Sequence, residues 1–267
     1  MTQLSLSDIV SCVSGYDPDA MTVPQAQKII HDFVQPIASV ERVAIRSALD
    51  RVLAVDITST IDVPANDNSA MDGYALRGDD LAGNQPLTLR IVGSVHAGQQ
   101  FTGAVAAGEC VRIMTGAAMP ADCDTVIPQE FTENQTDTAV TIPAGRVRRG
   151  DNRRLRGEDL RNGQIALRAG KILRPADIGM LASLGVAEIP VQRRLRVAFF
   201  STGDELRSVG EPLDPGCVYD SNRYTLYGML TRLGCDIIDM GVVRDDPVAM
   251  EVAFRSACEH ADAVITS

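Results

Sequence analysis

The sequence predicts a multi-domain protein of α/β plus β class. Three observations carry that prediction. Between residues 195 and 266, apolar runs alternate with helical patterns in the order βαβαβ, which is how a parallel, right-handed α/β unit is written in sequence. Between residues 87 and 142, short runs of β-formers are separated by Gly, Pro, Asn and Asp clusters, which suits a small barrel or sandwich. Finally, 267 residues with 45% hydrophobic and 22% charged side chains leave room for one large domain or a few small ones. That composition excludes disorder, collagen-like repeats and coiled coil.

Taken in order, residues 23–34 set Ala26, Ile29, Ile30, Phe33 and Val34 at helical spacing. Pro24 stands in the first turn, where its missing N–H costs nothing, and Pro36 ends the helix. Residues 47–55 read as a short second helix leading into a strand over 56–61. The turn-rich segment 62–69 changes the texture of the chain and marks a domain boundary. The β-runs that follow cover 87–95, 110–114, 124–129 and 139–142. Pro175 starts a helix reaching about Leu184, with Gly185 just past its end. Residues 195–200 have the continuous apolarity of a buried parallel strand, followed by a turn over 201–206. A helix over 219–233, capped by Asp220 or Ser221 and stopped by Gly234, leads to a strand over 235–243. A helix over 247–260 and a third strand over 261–266 complete the unit. Three parallel strands cannot bury both faces of an open sheet, so the C-terminal domain reads as incomplete.

The net charge of −10 sets up a field that repels nucleic acid and anionic membranes, so neither is expected as a partner. Lys28 and Lys171 are the only lysines beside 23 arginines, the residue type suited to bidentate contacts with phosphate or carboxylate. The six cysteines form no CxxC pair and no zinc grid, and read as reduced, mostly buried thiols. No stretch approaches the roughly 18 apolar residues of a membrane span. Residues 1–20 carry Asp8, Asp17 and Asp19 but no basic residue, so no signal peptide is read and the expected location is cytoplasmic.

Ligands of open α/β sheets sit beyond the carboxyl ends of the strands. Those ends carry Ser201-Thr202-Gly203-Asp204-Glu205 and Arg244-Asp245-Asp246, two acidic loops able to hold a hard divalent cation or orient a polar substrate. The alternative is that Asp245 and Asp246 cap the helix starting at Pro247 and Glu205 is solvated. Seven arginines between residues 146 and 161 invert the local charge and are a candidate anion contact; the alternative is a loop balanced by Asp151, Glu158 and Asp159. Asp72 precedes Gly73 on a loop, and Thr115-Gly116 follows a strand, where a hydroxyl and N–H groups can cradle an oxyanion. Both also fit ordinary turns. His31, His96 and His260 are isolated and have no nucleophile partner.

Seven strings occur in register: D-N-S-A-M-D-G-Y-A at 67–75, R-I-M-T-G-A at 112–117, R-G-E-D at 156–159, A-S-L-G at 182–185, F-S-T-G-D-E-L at 200–206, Y-D-S-N at 219–222 and R-D-D-P at 244–247. Together they make the chain resemble the molybdopterin molybdotransferase family, which includes bacterial molybdenum-insertion proteins and the E domain of gephyrin. The resemblance runs from about Val23 to Ser267.

It implies a polar tail over 1–22, an elongated discontinuous linking domain over 23–66 and 155–194, a small β-rich inserted domain over 67–154, and an incomplete parallel βαβαβ domain over 195–267. It implies a homodimer whose site is shared between subunits. In that site adenylylated molybdopterin, supplied by a molybdopterin adenylyltransferase, is hydrolysed with release of AMP and molybdate enters the dithiolene, with Mg²⁺ required. Carried over to this chain, the catalytic positions are Asp72, Thr115, Asp159, Glu205 and Asp245. Ser69, Arg156, Ser201, Thr202, Gly203 and Asp204 are placed on substrate, and Glu205 and Asp245 on the metal. The family's segments beyond the third strand have no counterpart here, which implies that ligand binding outlasts turnover in this chain. The alternative is a non-catalytic dimeric scaffold or pterin-binding module.

Overall fold

The computed structural model describes residues 22–83 and 85–267. The polar tail expected over 1–22 lies outside the described residues apart from Thr22, as does Cys12. The chain divides into two compact units, a terminal one (Met1–Arg42 with Pro190–Ser267) and a central one (Val43–Ile189). The central unit holds the β-rich segment and most of the linking segment, while residues 23–42 and 190–194 fall in the terminal one. Helix α1 (Val23–Phe33) starts as its spacing predicts, with the Thr22 N–H donating to Gln25 Oε1 at 2.9 Å, and is followed by strand β1 (Val40–Ala44). Among the described residues no helix is long and apolar enough to cross a membrane.

The helix expected over 47–55 does not form. A 3₁₀ turn at Ile45–Ser47 is all the helical structure there, and Asp50 adopts φ 60°, which breaks a right-handed helix. The segment instead pairs with a distant one: Leu53 N–H donates to the Lys171 carbonyl at 2.9 Å and Leu173 N–H to the Arg51 carbonyl at 2.9 Å. Leu53 and Leu173 are fully buried by this pairing, so long-range packing overrides a weak local preference. The expected strand over 56–61 shrinks to β2 (Ile57–Thr58).

Next come β3 (Asn68–Ser69), β4 (Gly73–Leu76), β5 (Leu87–Val95), β6 (Glu109–Ile113), β7 (Thr125–Pro128), β8 (Ala139–Ile142), β9 (Arg153–Arg154) and β10 (Ile165–Leu167). They are followed by α2 (Pro175–Ser183) and β11 (Glu188–Gln192). The β-rich segment is neither a closed barrel nor a two-sheet sandwich. It is one mixed sheet in the order β7-β4-β6-β5-β8, with β5 and β6 parallel and the other pairs antiparallel. Period-2 alternation feeds a core on each face, with Tyr74, Leu76 and Ile127 on one and Ala75, Val126 and Ile113 on the other. Gly185, at φ 71°, ends α2 in the left-handed conformation that favours glycine.

The terminal unit continues with β12 (Arg196–Thr202), β13 (Leu206–Arg207), β14 (Val218–Tyr219), α3 (Ser221–Arg232), β15 (Asp236–Val243), α4 (Pro247–His260) and β16 (Ala263–Thr266). The βαβαβ prediction holds: the sheet runs β15-β12-β16, all parallel. β12 extends through Ser201 and Thr202, which pair with Val242 and Val243, so the turn expected over 201–206 begins two residues later. Phe199 packs with Leu230 of α3, while the Phe200 ring meets Phe254 of α4 edge to face at 5.2 Å. Successive residues of one strand point to opposite faces, so α3 packs on one face of β12 and α4 on the other, while β15 and β16 stay only part-buried, as expected of so small a sheet.

Candidate functional site

In the terminal unit β12 lies between β15 and β16, and the direction of winding reverses there, which makes its carboxyl end the crevice of an open α/β sheet. Thr202 is the register partner of Val243, so the loops bearing Glu205 and Asp245 leave neighbouring strands side by side. Thr202 N–H donates to the Ser267 carbonyl at 2.8 Å, and Asn222 Nδ2 donates to Ser267 Oγ at 3.1 Å, tying the loop of β16 to both β12 and α3. Gly203 has φ 147°, and a Cβ there would lie 2.6 Å from Glu205 Oε2. Glycine is therefore what allows the Glu205 carboxylate to fold back over its own loop.

The capping alternative holds for Asp246 and for the exposed Glu205 but not for Asp245. Asp246 is the cap of α4, accepting from Ala249 N–H at 2.9 Å, whereas Asp245 is exposed and bonds to no described residue. Glu205 likewise has no ion-pair partner among the described residues. Two exposed hard-oxygen donors suit Mg²⁺, which keeps several waters and takes one or two carboxylates together with substrate phosphates. No described group of three His, Cys, Asp or Glu side chains is poised on one ion, so any such site relies on oxygens from ligand and water.

Two atoms at this edge have no partner. Ser201 is fully buried and its Oγ bonds to nothing; Asp220 is 2% exposed, caps α3 through Oδ1 from Arg223 N–H at 3.1 Å, and leaves Oδ2 unpaired. Buried polar atoms without partners are rare and cluster at working sites. In the sequence Asp220 reads as a candidate helix cap, and both residues stand in the Y-D-S-N string of the resemblance with no site role assigned. The signal for a further role was their position on the first helix after the first strand of a parallel unit.

The central unit joins Asp72 to Thr115. Thr115 donates its N–H and its Oγ–H to the same Asp72 Oδ1, both at 2.7 Å. The Thr115 amide first, and its hydroxyl second, hold the exposed Asp72 carboxyl below the usual range. Ser69 is buried beneath them: its N–H donates to Ala117 O at 3.0 Å, its carbonyl accepts from Gly116 N–H at 2.8 Å, and its Oγ donates to Met71 O. Ser69 thus laces the two loops together. Gly73, next to Asp72, is required by close approach, since a Cβ would stand 1.9 Å from the Ile127 carbonyl oxygen.

The arginine stretch is mostly a set of clasps. Arg149 pairs with Asp79 and Asp124, Arg153 with Asp67, Arg154 with Glu158 and Asp159, and Arg156 with Asp62. The balanced-loop alternative fits Arg154 alone; the other three guanidinium groups are paired with carboxylates from outside the loop. Arg156 Nε reaches Asp62 at 2.6 Å while its N–H donates to Asp67 Oδ1 at 2.7 Å, joining the two chain segments that enter and leave the β-rich sheet. Asp159 accepts from Arg154 Nη2 at 2.6 and 2.7 Å and so belongs to the clasp. The Asn162 amide and then Arg156 keep the Asp62 carboxyl low.

Residues 21–185 match the family model "MoeA N-terminal region (domain I and II)", and residues 198–267 match "Probable molybdopterin binding domain". The chain is 41% identical over 247 residues to a molybdopterin molybdenumtransferase of Haemophilus influenzae, covering 92% of this chain and 60% of that protein. It is 38% identical over 252 residues to one from Nostoc sp., covering 92% and 57%. The crystal structure of a molybdopterin biosynthesis moeA protein from Pyrococcus horikoshii OT3 superposes with a TM-score of 0.84 at 32% identity, over 91% of this chain and 65% of that one. The chain spans about three-fifths of the length of these curated relatives.

Proposed function

The chain belongs to the MoeA family, and from that premise we propose that it acts in molybdenum cofactor biosynthesis as a molybdopterin molybdenumtransferase. In this reading adenylylated molybdopterin is hydrolysed to release AMP, and molybdate is taken up by the dithiolene. The observation that supports it best is the carboxyl edge of β12, whose loops carry two exposed carboxylates, Glu205 and Asp245, without ion-pair partners among the described residues, together with Ser201 Oγ and Asp220 Oδ2, both buried and without a described partner.

Each residue has a task in this proposal. Ser201, Thr202, Gly203 and Asp204 form the loop against which the pterin rests, with the α3 N-terminus supplying N–H groups to its phosphate. Glu205 and Asp245 would hold Mg²⁺. When bound, that ion would supply positive charge to offset the charge on the anhydride. In the central unit the Asp72 carboxylate, kept ionised by Thr115, orients water, and Ser69 sets the spacing of those two loops. Arg156 and Asp159 contribute through the clasp. The acting form is proposed to be a cytoplasmic homodimer with a site shared between subunits, fed by a molybdopterin adenylyltransferase.

The test is titration of the chain with adenylylated molybdopterin with and without Mg²⁺, followed by AMP release on adding molybdate. The expected result is binding that tightens with Mg²⁺ in the wild type and no longer does so when Glu205→Gln and Asp245→Asn are combined. No binding of the adenylylated pterin, or a Mg²⁺ effect that survives the double substitution, would overturn the reading.

A further inference from the structure

We propose that Arg223 is a positioning residue: by pairing with Asp239 it locks a β-bulge in β15, and the bulge fixes where the Asp245 loop stands beside the Glu205 loop. The role in metal binding that this gives Arg223 rests on the function proposed above. Strands β12 and β15 fall out of step near their carboxyl ends, since Phe199 is the partner of Asp239 but Ser201 is the partner of Val242. Two steps along β12 are matched by three along β15, so β15 carries one extra residue there. Gly241 absorbs it at φ 81°, the left-handed conformation that favours glycine.

The extra residue decides where the following loop lies. Without it Thr202 would face Val242, and all that follows would stand one residue, about 3.3 Å, further along the strand. A one-residue slip also turns each later side chain to the opposite face. Asp245 bonds to no described residue, so backbone geometry alone sets its place, between the end of β15 and the Asp246 cap of α4. Mg²⁺ holds its ligands at about 2.1 Å, so a displacement of that size takes one carboxylate out of a shared shell.

Arg223 closes the bulge. Asp239 Oδ1 accepts from Gly241 N–H at 3.0 Å, bridging the extra residue, and Asp239 Oδ1 and Oδ2 accept from Arg223 Nε at 2.8 and 3.0 Å. Both Nη atoms lie 4.0 Å from where a Cβ on Gly241 would stand, so the guanidinium lies directly against the bulge. The pair is part-buried, where salt screens it less than on the open surface. Nη1 also stands 3.5 Å from Ser208 Oγ, three residues beyond Glu205. One side chain of α3 thus reaches both segments that carry the exposed carboxylates.

The full chain, ¹⁵N-labelled, is compared as wild type, Arg223→Met, Arg223→Lys and Asp239→Asn. Without metal, Arg223→Met and Asp239→Asn should shift the amide signals of Gly241 and Asp245 and lower the heteronuclear NOE of Asp245, with Ala257 of α4 unchanged. Arg223→Lys, which keeps a cation within reach of Asp239, should restore the Asp245 signal toward wild type; a packing role would be served by Met and show no such rescue. Mn²⁺ is then added as a paramagnetic stand-in for Mg²⁺. In the wild type it should broaden the Glu205 and Asp245 signals over one concentration range, and in Arg223→Met that range should rise about tenfold, the low end for loss of an outer-shell partner. Should Arg223→Met fail to fold, Asp239→Asn, which keeps an acceptor for Gly241, must still shift the Asp245 signal. An Asp245 signal unchanged in every folded variant overturns the proposal whatever Mn²⁺ does. Mn²⁺ that broadens neither signal in the wild type removes the metal reading alone, and the metal-free shifts then still assign Arg223 the placing of the Asp245 loop.

Discussion

Two hydrogen bonds from Thr115 converge on one oxygen of Asp72, and that convergence defines the electrostatics of the central loops. Thr115→Val removes the hydroxyl but keeps the amide, so the Asp72 carboxyl should titrate at higher pH than in the wild type yet still below its ordinary value; NMR titration of the side-chain carboxyl checks this. Asp262 provides the matching stability experiment. Arg193 first, and the Arg196 amide and guanidinium after it, hold this carboxyl well below the usual range against the opposing effect of burial. A group whose folded pKa is depressed stabilises the fold fully above its unfolded pKa, and that stabilisation is lost as pH falls toward the folded one. Asp262→Asn should therefore lower the urea midpoint at pH 7, with the gap to wild type closing from about pH 4 downward.

At the scale of the element, β4 is the centre of the mixed sheet's architecture: it is buried along its whole length and paired on both sides. Gly73→Ala must push a methyl group into the backbone of β7, which cannot yield as a flexible side chain would. The expected cost is about 3 kcal/mol, the upper end for overpacking, measured by chemical denaturation. Ile113→Ala, in the core on one face of the same sheet, leaves a void instead and should cost about 2 to 5 kcal/mol. The two substitutions discriminate strain from cavity, because only the glycine change should also shift the amide signals of Ile127 and Pro128's neighbours.

For the whole molecule, two compact units with separate cores predict that unfolding departs from a single two-state transition. Phe199→Ala, within the terminal unit's core, should lower that unit's transition by about 3 to 5 kcal/mol while leaving the central unit's unchanged. Calorimetry together with fluorescence of probes placed in each unit checks it. The proposed homodimer is tested at this scale as well. Light scattering over a range of concentrations should give about twice the 28.6 kDa chain mass, and a constant 28.6 kDa would exclude it.

Local pattern determined a great deal of this protein by itself. Helix α4 and strand β8 occur at the predicted residues, and the parallel βαβαβ order follows from apolar runs alternating with capped helices, because burial periodicity and capping are properties of neighbouring residues. The acidic and glycine positions of the β12 loop were legible for the same reason. Tertiary structure alone decided the rest. The pairing of residues 50–53 with 170–173 replaced a predicted helix, and the ion pairs of Arg153 and Arg156 turned a candidate anion site into a clasp across about 90 residues of chain. It also left Ser201, Asp220 and Asn68 with unpartnered atoms. Contacts between distant residues fix such outcomes, and a one-dimensional pattern carries charge and polarity but not which opposite charge or which empty space will lie beside them.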